Sequence, residues 1–208
     1  MTQKASSTHP PLANKIAKKL HVHKDTRIDN YYWLNDKNNP EVIDYLNAEN
    51  TYTKRVLRHT ESFQKELFEE MKARIKEDDS TVPYKLNGYW YITKYESGKD
   101  YPIYLRRKES IDAYDEILFD CNDMAGDHAY FNLGGISISP DNTLAAFSID
   151  TVSRRQYTIQ IKNLVTGEIY SDKIVNTTGS ATWANDNKTL FYSMKDPVTL
   201  RSHKIIKH

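Results

Sequence analysis

The chain has 208 residues, enough for one or two globular domains with a core of ordinary size. Its 29 Lys and Arg residues nearly balance 28 Asp and Glu residues, which disfavours nucleic acid and anionic membranes as partners. The single cysteine, Cys121, excludes an internal disulfide, and no apolar run is long enough to span a bilayer. We therefore expect a globular, cytoplasmic protein.

Residues 15–24 form a basic stretch without acids. Such a stretch is compatible with a transit peptide, but the absence of arginine there favours a solvated leader. Within it, His21 and His23 would lie on one side of an extended strand, as metal-binding pairs do. No third ligand follows at a suitable spacing, so we interpret them as surface residues.

The next section has helical periodicity. Asn39, Pro40 and Glu41 predict a helix start, with Asn39 as the N-cap. A second start is predicted at residues 60–61. Two apolar faces follow from the spacing, one for each helix: Tyr45, Ala48, Tyr52 and Val56, then Phe63, Leu67, Met71 and Ile75, with Phe68 beside them.

Residues 78–83 (DDSTVP) concentrate turn formers and acids. The spacing of a calcium loop is missing, so the run predicts a charged turn between two domains rather than a cation site. We accordingly divide the chain into residues 1–82, an extension with helices, and residues 83–208, a β domain.

The second domain has the pattern of short strands separated by turns. Strands are predicted at residues 89–93, 101–106, 116–120, 144–149, 157–162 and 190–194. Residues 138–144 (ISPDNTL) are echoed by residues 183–190 (WANDNKTL), about 45 residues later. A period of this size with about four strands is typical of propeller blades, whereas two coincidental turns in a β-sandwich are the alternative. We therefore predict a mostly β chain in which residues 83–208 form an incomplete β-propeller of about two to three blades.

Candidate catalytic residues are few. Ser137 lies in GISIS, which lacks the second glycine of a nucleophile elbow and falls within an apparent strand. His128, near Asp123 and Asp127, has no activated nucleophile to serve. Residues 120–128 only loosely resemble a calcium loop, because Met124 and Ala125 occupy positions that need a ligand and a glycine. The sequence therefore predicts no catalytic, cofactor-binding or metal-binding residue.

Several segments resemble the prolyl oligopeptidase family, and some are closer to its oligopeptidase B branch. The N-terminal signature is carried by RIDNYYWLND and the residues just after it. The oligopeptidase B likeness is carried by the run that ends in ARIKEDDSTVP. The matching segments are residues 27–36, 40–42, 45–50, 66–83, 88–91, 101–103, 134–141 and 183–192.

The resemblance implies a serine peptidase with an N-terminal helical extension, a seven-bladed β-propeller and a C-terminal α/β-hydrolase domain. Oligopeptidase B enzymes cut short peptides after Arg or Lys, and the propeller excludes folded proteins. The catalytic triad belongs to the hydrolase domain, which we expect to be absent from this chain because His208 falls within a blade. The same likeness makes that domain the expected partner of the apolar helical face.

Two other hypotheses remain open. The chain could be a stand-alone propeller-like binding module, or an enzyme of another kind with an unrecognised site. An abrupt end inside a blade argues against the binding module, because a self-sufficient propeller closes its ring or carries a polar cap.

Overall fold

The computed structural model describes residues 9–208, and residues 1–8 of the predicted N-terminal extension lie outside the described residues. The chain divides into two compact units, the first ending at Ile75 and the second comprising Lys76–His208. The predicted domain boundary after residue 82 stays a prediction, although residues 79–80 already pair with the sheet of the second unit.

The first unit begins with a hairpin of β1 (Lys18–Val22) and β2 (Asp25–Asp29). The basic stretch is largely exposed to solvent, as the sequence predicts, but it is a paired strand. His23 and Lys24 form the two-residue turn, with φ of 50° and 67°. Positive φ at both positions is the geometry that tight hairpins require. The expectation that His23 continues an extended strand is therefore wrong.

A one-turn 3-10 helix (Tyr32–Asn35) connects the hairpin to α1 (Pro40–Leu57). The predicted cap is confirmed, because Asn39 Oδ1 accepts a hydrogen bond from the Glu41 N–H at 2.9 Å. The only buried side chain of α1 is Val42. Tyr45 packs edge-on against Trp33, with 6.4 Å between ring centroids. Of the predicted face, Ala48 and Val56 are exposed.

The second helix, α2 (Glu61–Ala73), begins where the sequence predicts, after a short 3-10 turn (Arg58–Thr60). It has no buried residue. Thr60 does not cap it, since its hydroxyl donates backward to the Leu57 carbonyl at 2.7 Å. Ile75 lies beyond the helix end.

The second unit contains eleven strands and one short helix. All six strands predicted from the sequence are present, with ends that differ by at most two residues. The strands are β3 (Asp79–Ser80), β4 (Tyr84–Leu86), β5 (Tyr89–Tyr95), β6 (Ile103–Lys108), β7 (Glu116–Asp120), β8 (Asn132–Ile138), β9 (Leu144–Asp150), β10 (Tyr157–Asn163), β11 (Ile174–Trp183), β12 (Leu190–Lys195) and β13 (Ser202–Lys207).

These strands form two complete blades and three strands of a third, which confirms the predicted partial β-propeller. In the first blade, β3 and β4 pair successively with the same side of β5, so they are one inner strand interrupted near Pro83. Asp79 and Ser80 are thus part of a strand, and the prediction of a charged turn is wrong there. The order then runs β5-β6-β7.

The second and third blades share a strand. The first part of β11 pairs with β10 through Ile174 and Thr177, and its second part pairs with β12 from Ala181 to Trp183. Thr177 has a partner on both sides, because it also pairs with Met194 of β12. Between the two lies Gly179, with φ of 92°. The strand therefore changes partners at a glycine, so β8-β9-β10-β11 forms the second blade and β11-β12-β13 the part of the third.

Strand β9 shows how the blades stack. Ala145 and Phe147 pack toward the first blade, where the Phe147 ring lies 4.8 Å from Phe119. Ala146 packs toward the third blade, with Ile159 and Leu190. Side chains alternate across a strand, so β9 is buried on both faces. This explains its nearly continuous run of small and apolar residues.

One helix interrupts the predicted strands and turns of this unit. Residues of α3 (Cys121–Ala125) follow β7 directly. Asp120 caps the helix by accepting a hydrogen bond from the Asn122 N–H at 2.9 Å. Asn122 in turn holds the Tyr101 backbone with both side-chain atoms, at 3.0 and 2.9 Å. These contacts hold α3, which begins the connection between the first two blades, against the residues that precede β6.

The repeated segments occupy equivalent corners, as the sequence predicts. Each joins the inner strand of a blade to the next strand, and each closes with a backbone hydrogen bond, Ser139 to Leu144 and Ala184 to Thr189. Asp141 accepts from Ser139 and Thr143 side chains at 2.6 and 2.9 Å. Asp186 accepts from the Thr189 hydroxyl at 2.7 Å.

Neighbouring corners are also bonded to one another. Asn87, Asn142 and Asn187 each have positive φ, at 46°, 63° and 58°. Asn142 Nδ2 donates to the Asn87 carbonyl at 3.0 Å, and the Asp141 N–H donates to Asn187 Oδ1 at 2.9 Å. We call these bonds the corner ladder. These hydrogen bonds hold the corner of each blade next to the corner of the following blade.

Replacement of Asn142 tests the ladder. We expect Asn142→Gly, which tolerates positive φ but loses the hydrogen bond to Asn87, to cost about 1 kcal/mol. Asn142→Ala loses the bond and also strains the backbone, for a total of about 2 to 3 kcal/mol. Urea unfolding of both variants measures these costs. Equal stability of the two variants would contradict the backbone contribution.

Acid titration tests the turn at Asp186. Hydrogen bonds from the Thr189 and Lys188 N–H groups, and then from the Thr189 hydroxyl, lower the pKa of Asp186 to about 2. A lowered pKa stabilises the fold above the unfolded pKa of about 4, and this contribution is lost as the pH falls through the folded pKa. We expect Asp186→Asn to lower the melting temperature at pH 7, by an amount that shrinks as the pH falls from about 4 through about 2. A pH-independent difference would contradict this account.

Candidate functional site

Ser137, the nearest approach to a nucleophile motif, lies in β8 and is half-buried. Its carbonyl accepts a hydrogen bond from Trp183 Nε1 at 2.9 Å, which ties the inner strand of the second blade to that of the third. A strand offers none of the strained exposure that a nucleophile elbow provides. The position of Ser137 supports a structural role.

His128 does not meet its acidic neighbours in a catalytic arrangement. His128, Asp123 and Asp127 are all exposed, around the end of α3. The backbone N–H of His128 donates to the Ala125 carbonyl at 2.9 Å. A general base needs a partner that orients its ring, and no hydrogen bond of that kind joins these three side chains. The site therefore has no feature of a triad.

The candidate metal ligands are likewise not brought together. His21 Nδ1 shares a hydrogen bond with Thr26 Oγ1 at 2.7 Å across the first hairpin, whereas His23 occupies its turn. In residues 9–208, no group of three His, Cys, Asp or Glu side chains is arranged to hold a metal ion.

Burial, with Asp120 nearby, raises the pKa of Cys121 to about 12. The Cys121 thiol is consequently protonated at neutral pH.

One buried charge escaped the sequence analysis. Arg106, in β6, is 3% exposed and binds Glu116 through two hydrogen bonds of 3.0 and 2.7 Å. It also donates to the Asn142 carbonyl at 3.0 Å and stacks on the Tyr89 ring. The group thus joins the first blade to a corner of the second. No pattern distinguishes Arg106 from its exposed neighbours in the sequence, since only tertiary packing buries it.

The surface with the clearest functional character is on α2 and the residues after it. We define the helical apolar face as Phe63, Leu67, Phe68, Met71 and Ile75. Each of these side chains is at least 40% exposed. Contiguous apolar side chains at helical spacing on a soluble protein mark an interaction surface. The structure confirms the helical spacing from Phe63 to Met71 and places Ile75 just beyond the helix end.

None of the helices in residues 9–208 has the length and the apolar content that crossing a bilayer requires.

Comparison with known proteins connects these features to one family. Residues 10–208 match the model of the prolyl oligopeptidase N-terminal β-propeller domain. A dipeptidyl aminopeptidase BI from Pseudoxanthomonas mexicana is 41% identical over 98% of this chain and 31% of its own length. Protease 2 from Moraxella lacunata is 31% identical over 94% of this chain and 30% of its own.

A solved structure agrees in detail. Oligopeptidase B from Leishmania major superposes with a TM-score of 0.85 and 29% identity, over 97% of this chain and 31% of that protein. The chain thus spans about a third of the length of the relatives it matches. Because the family model covers both the helical unit and the blades, the chain belongs to the prolyl oligopeptidase family of peptidases, of which it forms the N-terminal β-propeller region.

Proposed function

We propose that these residues are the propeller region of a serine endopeptidase of the oligopeptidase B type, which cleaves short peptides after Arg or Lys. The observation that carries the proposal is the likeness to the Leishmania enzyme over 97% of the chain, at an identity of 29%. The run at residues 66–83 supports the same branch. A reducing cytoplasm suits the protein, because its one cysteine is free and buried.

The propeller region itself contributes no catalytic residue in this proposal. Its blades would form part of a closed seven-bladed propeller that admits short peptides and excludes folded proteins. The inner strands β4, β8 and the second part of β11 would line the passage. Nucleophile, acid and histidine would come from an α/β-hydrolase domain elsewhere in the protein.

The helical apolar face has a role in the same proposal. Five apolar side chains that are exposed in this chain would be covered by the hydrolase domain. At about 25 cal/mol per Å² of apolar area, covering a few hundred Å² contributes several kcal/mol. The extension would therefore hold the propeller and the hydrolase domain together.

A second activity is favoured by a different observation. The relative with 41% identity is named a dipeptidyl aminopeptidase, which indicates removal of dipeptides from a free amino terminus. Such an enzyme requires an unblocked substrate, whereas an endopeptidase does not. The two candidates therefore differ in a property that one assay measures.

The discriminating experiment uses the protein encoded by the complete reading frame. We expect cleavage of benzyloxycarbonyl-Arg-Arg-aminomethylcoumarin, whose amino terminus is blocked, and little cleavage of the Leu-Leu analogue. Cleavage of the unblocked Arg-Arg substrate alone would favour the dipeptidyl aminopeptidase. Residues 1–208 produced alone should not react with a fluorophosphonate probe, since they contain no nucleophile elbow.

Substitution on the helical apolar face tests the domain contact. In the complete protein we expect Phe63→Glu to lower the free energy of unfolding by at least about 2 kcal/mol, because it buries a charge without a partner. Lys65→Glu, on the opposite side of α2, is the matched control and should change it by less than about 0.5 kcal/mol. Thermal and urea unfolding measure both. Equal effects would show that Phe63 stays exposed.

A further inference from the structure

A cavity of about 380 Å³ lies between the first and second blades. Tyr84, Leu86, Tyr91 and Leu118 line it from the first blade, and Ile136 and Ile138 from the inner strand of the second. Its size is within the range of small-molecule sites, which begins at about 300 Å³. The cavity belongs entirely to the sheet unit and shares no residue with the helical apolar face.

The local backbone explains why the blades do not close on each other here. The inner strand of the first blade is interrupted between β3 and β4, around Pro83. The facing strand β8 has a register shift between Leu133 and Ile136. At that shift Gly135 approaches the third blade so closely that a Cβ atom would lie 2.5 Å from the Gly179 carbonyl oxygen. The cavity thus lies between an interrupted strand and a strand with a shifted register.

One polar group in the lining is buried without a well-formed hydrogen bond. Tyr91 is 6% exposed, and in the described part of the chain its hydroxyl has no hydrogen-bond partner. Burial raises the pKa of Tyr91, and the Arg106 guanidinium, which interacts with the hydroxyl oxygen, opposes part of that rise. A guanidinium can only donate, so the hydroxyl proton stays available to an acceptor. A buried hydroxyl without a partner costs free energy, and an incoming acceptor would recover it.

The remaining lining restricts the kind of ligand. No lining residue carries a charge, which disfavours ions and charged side chains, including those of Arg and Lys. Tyr84 stacks on Tyr91 with ring centroids 5.3 Å apart and an interplanar angle of 18°. Flat aromatic walls favour aromatic partners. Tyr84 and Leu86 are 60% and 48% exposed, which places the mouth of the cavity beside them.

We propose that this inter-blade cavity binds a small neutral aromatic molecule with one hydrogen-bond acceptor, to which the Tyr91 hydroxyl donates. The proposal does not rest on the peptidase activity proposed above, although β4 and β8, which line the cavity, are also strands of the proposed passage. Because the ligand contacts two blades at once, its binding stabilises their packing, and the melting temperature rises with ligand concentration.

The test uses two fluorinated probes and the protein encoded by the complete reading frame. Titration by ¹⁹F NMR measures binding of 4-fluoroacetophenone, which has a carbonyl acceptor, and of 1-ethyl-4-fluorobenzene, which has none. We expect saturable binding of the ketone in the millimolar range or tighter. The hydrocarbon should bind about three- to tenfold more weakly, which corresponds to the loss of one hydrogen bond.

Two variants locate the site. Tyr91→Phe removes only the unpaired hydroxyl, so it should fold normally, weaken ketone binding about three- to tenfold and leave hydrocarbon binding unchanged. Leu86→Trp obstructs the mouth at an exposed position and should abolish binding of both probes. Absence of saturable binding, which would leave a cavity filled with water only, overturns the proposal. Binding that neither variant changes would also overturn it.

Discussion

Each blade of this protein has two apolar faces, and the structure depends on covering both. Strand β9 shows the requirement most clearly, since Ala145 and Phe147 are buried against the first blade and Ala146 against the third. A small antiparallel sheet with two apolar faces is unstable alone. Repetition of similar sheets solves the problem, because each blade covers its neighbour. The rest of the sheet unit is arranged to keep neighbouring blades in register.

Apolar packing alone does not fix how far one blade is rotated relative to the next. That information lies in polar contacts at the corners. The corner ladder joins Asn87 to Asn142, and Asp141 to Asn187. Arg106 adds a charged contact from the first blade to the same corner. Its bidentate bond to Glu116 satisfies a charge whose burial would otherwise be costly. The hydrogen bonds at the corners therefore fix the orientation of neighbouring blades, which apolar packing alone leaves undetermined.

Glycine and proline determine where the blades depart from ideal stacking. Gly179 lets β11 leave the second blade and enter the third, and Gly135 allows the two inner strands to approach. The break near Pro83 has the opposite effect, since it opens the space beside Tyr91. The helical apolar face is the other departure from complete burial. Neither the cavity beside Tyr91 nor the helical apolar face is filled or covered by the blades. Binding is proposed at both.

The sequence by itself determined the change from helices to strands, the Asn39 cap, the six predicted strands and the equivalence of the Asp141 and Asp186 corners. These features depend on local periodicity and turn chemistry, which a linear pattern records. Tertiary structure alone decided that residues 79–80 are a strand, that His23 turns a hairpin, and that Arg106 and the Tyr91 hydroxyl are buried. All of these except the His23 turn, whose strands pair only a few residues apart, depend on residues more distant in the chain. A local sequence pattern does not specify which strand or blade a given strand packs against, so these features become visible only in the assembled structure.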